Sequence, residues 1–572
     1  MVLHTVMCTA PMTGQLSSLA HKIQSEIVNV FMTFTRPVIQ SADHEEAINE
    51  SIWSLMLKEL LEYTTSSPQA FLGGLVLLSE LLPIPMPIRS LEDMPPEEAN
   101  QVMNHRRLWS AHLNPLSTEL QGILKDLAGS ACHSLQQVLR RVCSQLSDLS
   151  APTAFNIVRT LLETLDSEMN KSSGDENSCT GGGVRIMTLL AYLSSQPAVK
   201  VSLLQLLKTS GNAKNDDLLF PSLLPSMLSC LKGSSENQIV SRSQYCVVSI
   251  VQSLCDPTVS LMPFETPFTD QHLANTLPDK EMLEVICAAL LEHMGSEQQA
   301  FATILLALRT LLTLTEHNYG VYHQKIALEN NSEVFYRLLK RLSSSFENSI
   351  PGPDNLSTLS TTIELLQLLL PEDSVVIPDH DDDAMEDEPL QRTTEISITA
   401  AQMRGFLKFD SAVEDGPLKT LEKRLEESCK EDEALEPLLD AVRDLTVMLR
   451  KTEADSEKEP EEVTEPHLPS PLPLQTLFIN RLSFFAGEVE DERVSPTLWY
   501  STPPPDDIDP EVDLIKINVD SLTEKFCPDF DLKAELEKGL VPSSPGSQTR
   551  MKGVRYDTST NLIFSLNLRN IL

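Results

Sequence analysis

The chain has 572 residues, of which 41% are hydrophobic and 5% aromatic; one hydrophobic core organises at most roughly 250–300 residues, so the length excludes a single globular core and asks for several domains or an array elongated in one direction. Its 44 basic and 82 acidic residues leave a formal charge of −38. A surface this acidic repels phosphates, which excludes direct RNA or DNA binding outside a local basic patch or a partner that supplies one.

Residues Met1–Pro11 lack the basic segment and sustained apolar stretch of a secretory signal. From Leu16 to about Leu370 one amphipathic helix follows another, as expected where leucine dominates the apolar residues and glycine is scarce. The first of them, near Leu16–Phe34, is expected to leave an uncapped apolar face. The longest apolar run, Phe71–Leu82, follows Ser67-Pro68, is broken by Gly73, Gly74, Ser79 and Glu80, and stops at Pro83, Pro85 and Pro87. It falls short of the roughly 18 apolar residues a membrane span needs.

In residues 132–149, Leu135, Val138, Leu139, Val142, Cys143, Leu146 and Leu149 share one helical face, and Gln136, Arg140, Arg141 and Asp148 take the other. Ser150 can cap the next helix, and Pro152 fits its first turn. Asn170–Gly183 reads as a polar loop with a three-glycine tail. Further helices are predicted at about 216–231, 238–255, 279–294, 298–316, 333–346 and 356–370, with Pro257–Pro278 as an extended crossover. Helix pairs recur at about 40 residues, the period of HEAT and armadillo arrays. The predicted fold is therefore all-α: an armadillo/HEAT-like helical-repeat array over residues 1–370, followed by an acidic, partly disordered tail with short helices. A large irregular helical bundle is the alternative.

Residues 371–540 hold 44 acids and 17 bases, a net of −27, against −14 for residues 1–370. The tail divides into an acidic disordered linker (371–397, with the self-repelling run Asp379–Glu388), a helical segment (398–452, with helices at about 399–409 and 417–450) and an acidic, proline-rich linker (453–473). Short amphipathic segments follow over 474–541, with a short strand at Asp513–Val519 and a helix at Asp531–Leu540, and then a disordered C-terminus, 542–572. Within 474–541, Leu477, Phe478, Phe484, Phe485, Trp499 and Tyr500 are candidate partner-docking anchors, able to fold onto a neighbour or back onto the array. Ser470-Pro471, Ser495-Pro496 and Ser544-Pro545 are candidate proline-directed phosphorylation sites.

Chemistry is sparse. Gly181-Gly182-Gly183 lacks the Lys-Ser/Thr that follows the glycines of a phosphate loop. No Cys-x-x-Cys, His-Glu-x-x-His or Gly-x-Ser-x-Gly is present, so no catalytic, cofactor-binding or metal residue is assigned and no cofactor is expected. His317, Tyr319, Tyr322 and His323 read as a helix junction packed by rings, and Asp379–Glu388 as a solvated linker without EF-hand order. Arg106-Arg107, Arg140-Arg141 and Lys340-Arg341 read as solvated or ion-paired helix faces. Asn49–Ser51, a glycosylation sequon, has no meaning without secretion. The ten cysteines have no close paired spacing, so Cys143, Cys246, Cys255 and Cys287, each in an apolar run, read as buried reduced thiols. What remains is surface for partners, either in an adaptor or cargo carrier or in an assembly scaffold.

Several stretches carry more specific information: FLGGLVLLSELLPIPMPI (71–88), LRRVCSQLSDLSAPTA (139–154), VQSLCD (251–256), TEHNYGVYH (315–323) and DPEVDLIKINVDSLTEKFCPDFDLKAELEKGLVPSSPG (509–546). In this order they closely resemble the C-terminal portion of the virilizer family. The resemblance implies a non-enzymatic, armadillo-like scaffold of the nuclear complex that writes N6-methyladenosine into messenger RNA. It implies binding to the coiled-coil Wilms-tumour-associating protein, alongside a Hakai-type ubiquitin ligase and zinc-finger subunits, and recruitment of the methyltransferase heterodimer. It also implies a role in alternative splicing, mostly indirect RNA contact, a homodimer within the complex, and residence in nuclear speckles and nucleoplasm, with cytoplasm as a second location. Two departures accompany it. The chain starts within what would be the later part of the family protein. After Gly546 it runs Ser547–Leu572 instead of a basic Arg-Gly-rich tail, so a fragment, a divergent isoform or an incomplete gene model is expected.

Overall fold

The computed structural model describes residues 117–171, 179–208, 219–261, 268–347, 350–370, 398–409, 416–430 and 432–451, together with isolated positions before residue 96 and Pro471. These residues form sixteen α-helices and no strand. In order they are α1 (Ser117–Leu127), α2 (His133–Leu149), α3 (Ala151–Lys171), α4 (Gly181–Leu193), α5 (Pro197–Leu206) and α6 (Leu223–Ser229), which a 3-10 turn prolongs to Lys232. Next come α7 (Gln238–Cys255), α8 (Asp270–Thr276), α9 (Lys280–Met294), α10 (Phe301–Glu316), α11 (Val321–Asn330), α12 (Val334–Ser345) and α13 (Pro353–Leu369). The last three are α14 (Ala400–Leu407), α15 (Pro417–Ser428) and α16 (Glu436–Lys451). The fold is all-α, as the leucine periodicity predicts.

Helix starts follow from short polar side chains that accept the free amides of a first turn. Thr180 accepts from Gly183 N, Asn237 from Ile239 N, Thr269 from His272 N and Asp279 from Met282 N. Thr399 and Gln402 cap each other reciprocally at α14. At the α10–α11 junction the chain turns through left-handed backbone at Asn318 (φ 49°) and Gly320 (φ 74°), a region that glycine adopts without a Cβ penalty.

The residues fall into two compact units, with the boundary inside α3 between Thr160 and Leu161. In the first, α2 buries Leu135, Leu139, Val142, Cys143, Leu146 and Leu149. Gln136, read as solvent-facing, is also buried; its amide donates to the Leu127, Ala128 and Ser130 carbonyls that end α1. Gln145 donates in the same way to the Ser79 and Leu82 carbonyls, and Arg141 reaches Ser79 O at 3.3 Å.

In the second unit the neighbour relations repeat every third helix. α4 packs on α7, α7 on α10, α10 on α13 and α13 on α16; beside them α6 packs on α9, α9 on α12 and α12 on α15. Each repeat is one short helix (α5, α8, α11, α14) and two stacking helices, not the pair that the sequence suggests. The third helices begin at residues 181, 238, 301, 353 and 436, in steps of 52 to 83 residues, because the connections differ in length. That irregularity hides a three-helix period behind an apparent pairwise one. Residues 398–451 continue both ladders through α15 and α16.

Three local readings change. Gly181-Gly182-Gly183 is not a loop tail but the first turn of α4. The expected crossover Pro257–Pro278 contains α8, capped by Thr269. The single helix expected at 417–450 is two, separated by a 3-10 turn at Glu433–Leu435 that Asp432 caps.

Candidate functional site

Leu477, Phe478, Phe484, Phe485, Trp499 and Tyr500, the predicted docking anchors, lie outside the described residues, as do the linkers 371–397 and 453–470 and the expected strand and last helix. The ring cluster is structural. Tyr319 is buried at the α10–α11 junction with its hydroxyl donating to Pro278 O at 2.9 Å, His323 is buried in α11, and His317 meets Phe268 edge-on. Cys143, Cys246, Cys255 and Cys287 are buried thiols outside any disulfide; desolvation pushes Cys143 and Cys255 up to about 12 and Cys287 also upward, away from nucleophilic thiolate. Among the described residues no cluster of His, Cys, Asp and Glu could hold a metal ion, and no helix is long and apolar enough to cross a membrane.

Functional-looking polar residues instead tie one repeat to the next. The last carbonyls of a helix lack intrahelical donors and need partners when buried. In the α6–α9–α12–α15 ladder each later helix supplies a donor to such a carbonyl or to the connection that follows it. His293 of α9 faces Leu231 O through Nδ1 at 3.1 Å, Arg341 of α12 donates to Ser296 O and Gln299 O, and Arg424 of α15 donates to Ser343 O. Arg341 and Arg424 occupy the same place, the eighth residue of their helices. Arg341 also lies over the Phe301 ring, 4.2 Å from its centroid. Its neighbourhood is therefore a repeat joint, not the solvated face assigned to Lys340-Arg341. Burial lowers both His293 and Arg341 from their usual values.

Lys200 of α5 is fully buried, and its Nζ donates to Asp256 O at the end of α7, 2.5 Å away. Desolvation pushes its ammonium down to about 7, with the Asp256 carboxylate opposing. Gln244 and Gln299 both donate to Leu231 O and Gly233 O. The sequence marks none of these residues, since a polar side chain on an apolar flank reveals itself only once the facing carbonyl is known.

The outward surface of the α4–α7–α10–α13–α16 ladder is the second feature. Each helix buries its flanks against its neighbours and leaves one stripe uncovered. The stripe passes Arg185, Thr188 and Tyr192 on α4; Ile239, Arg242, Tyr245 and Ser249 on α7; and Ala302, Leu306, Arg309 and Thr313 on α10. Tyr192, Tyr245 and Ile239 remain 52%, 53% and 47% exposed, and Leu368 on α13 and Val447 on α16 nearly as much, 45% and 44%. Further on, the stripe turns acidic with Glu364 on α13 and Asp440 and Asp444 on α16.

No family model matches the sequence. Among curated proteins, protein virilizer homolog of Mus musculus is 34% identical over 563 residues, and that of Homo sapiens 34% over 561, in each case covering 97% of this chain and 30% of the relative. Protein virilizer of Drosophila melanogaster is 30% identical over 337 residues, 58% of this chain and 17% of the fly protein. The chain thus spans under a third of the length of the curated relatives it matches. Nearly all of it, helical ladder included, is related to a portion of the virilizer proteins.

Proposed function

We propose that this chain is a non-catalytic scaffold of the nuclear machinery that deposits N6-methyladenosine on messenger RNA. In this reading it binds the coiled-coil Wilms-tumour-associating protein, helps recruit the methyltransferase heterodimer, assembles with the Hakai-type ligase and zinc-finger subunits, and acts on mRNA processing and splicing from the nucleus. The single observation that carries the reading is the similarity to virilizer proteins over 97% of the chain. The two ladders of stacked helices support it, because stacked helices present extended faces to partners. So does the use of buried His293 and Lys200 and half-buried Arg341 as donors to backbone carbonyls of neighbouring helices and connections.

An affinity purification of the whole chain from nuclear extract tests this. The coiled-coil protein and the methyltransferase pair should co-purify, and depletion should lower N6-methyladenosine on mRNA. Recovery of neither, from a folded chain, leaves the general adaptor as the better reading, and import signals or a small GTPase then become the cargo to look for.

A further inference from the structure

The chain carries a charge of −38, yet three successive ladder helices run against it. α4, α7 and α10 contain Arg185, Arg242 and Arg309, no lysine, and a single acid, Glu316, at the last position of α10. Elsewhere several arginines are neutralised, although the exposed Arg450 is not. Arg337 pairs with Glu333, Arg424 with Glu347, and Arg443 with Glu422, Glu426 and Asp440. Among the described residues Arg242 and Arg309 enter no such pair, while Arg185 is influenced by the Glu168 carboxylate. Arg242 shares its stripe with the exposed Ile239 and Tyr245, and the exposed Tyr192 stands on the neighbouring α4.

We infer that this face docks an acidic, partly apolar peptide of a partner protein, laid in extended form across α4, α7 and α10. The inference rests on the scaffold reading and names the chemistry of one partner contact. Packed helices lie about 8–10 Å apart, and an extended polyproline II segment advances about 3.1 Å per residue with about three residues per turn, so every third residue of such a peptide faces the next helix from the same side. Arg242 and Arg309 then take carboxylates through charge-assisted, two-point hydrogen bonds, and the tyrosines and Ile239 cover the intervening apolar side chains. Single-stranded nucleic acid fits less well. It needs a continuous basic groove along closely spaced phosphates, and here isolated cations stand a helix width apart in an acidic protein.

The test is fluorescence anisotropy with the full chain and a labelled peptide of repeated Glu-Ser-Leu triplets, at low and moderate salt. Replacing its glutamates by glutamine, or combining Arg242→Glu with Arg309→Glu in the protein, should each weaken binding about tenfold or more. Arg443→Glu, at the acidic end, should change it little, and circular dichroism should show unaltered helicity in every variant. No peptide binding, binding indifferent to the Arg242/Arg309 pair, or tighter binding of an oligouridylate through the same arginines overturns the inference. Co-purification of the methyltransferase partners by the wild-type chain is read separately. If it persists while the peptide result is negative, the docking face fails and the scaffold reading stands.

Discussion

Lys200 is the residue most at odds with its surroundings, a lysine with no exposed surface whose ammonium is held down to about 7 by desolvation. The unfolded chain keeps that proton up to the ordinary lysine value of 10.5, so between about pH 7 and 10.5 the folded chain binds fewer protons and stability rises with pH. The buried thiols work in the opposite sense above their ordinary value of 9.0, because the folded state then binds more protons. The Lys200 effect is therefore isolated between pH 7 and 9. Urea unfolding of the wild type should shift to higher midpoints across that window, and Lys200→Met should lose most of the rise; an equal rise in both proteins would remove Lys200 as its source. Arg341 gives a second contrast. Arg341→Met strands the Ser296 and Gln299 carbonyls and should cost about 1–3 kcal/mol in the same assay. Arg337→Met removes only an ion pair between two exposed side chains and should leave the midpoint unchanged.

At the scale of elements, the three glycines that open α4 are not equivalent. A Cβ on Gly181 would meet Arg185 at an ordinary 3.5 Å, one on Gly182 would come within 2.7 Å of Glu168 Oε2, and one on Gly183 would overlap Cys179 Sγ. Gly181→Ala should therefore be neutral or stabilise by up to about 1 kcal/mol through helix propensity, while Gly183→Ala should destabilise. Thr180→Ala should cost about 0.5–2 kcal/mol, since it deletes both the cap on Gly183 N and the 2.6 Å bond to Glu168. Thermal melts of the variants rank them, and equal effects at 181 and 183 would contradict the packing described here.

At the scale of the whole molecule, each third helix needs the next one to cover its flank. α16 covers α13, and α15 covers α12. A chain ended at residue 370 should expose those flanks, self-associate at micromolar concentration and melt less cooperatively than the full chain. Light scattering that finds the shortened chain monodisperse would mean that residues 398–451 dock without stabilising the array.

Leucine periodicity alone determined the helical class, and it placed α7 at 238–255 and α9, α10, α12 and α13 within a few residues, because an amphipathic stripe is a local property. Buried thiols were legible for the same reason. The short helices α5, α8 and α11 escaped, since seven to ten residues hold too few turns for a period to show. The tertiary structure alone decided the three-helix repeat, the carbonyl-capping roles of Gln136, Lys200, His293, Arg341 and Arg424, and the gathering of Arg185, Arg242 and Arg309 onto one face. Apart from Gln136, which reaches carbonyls 6 to 9 residues back, each depends on residues that meet across 42 to 81 positions of chain, and no local pattern encodes the partner of such a polar side chain.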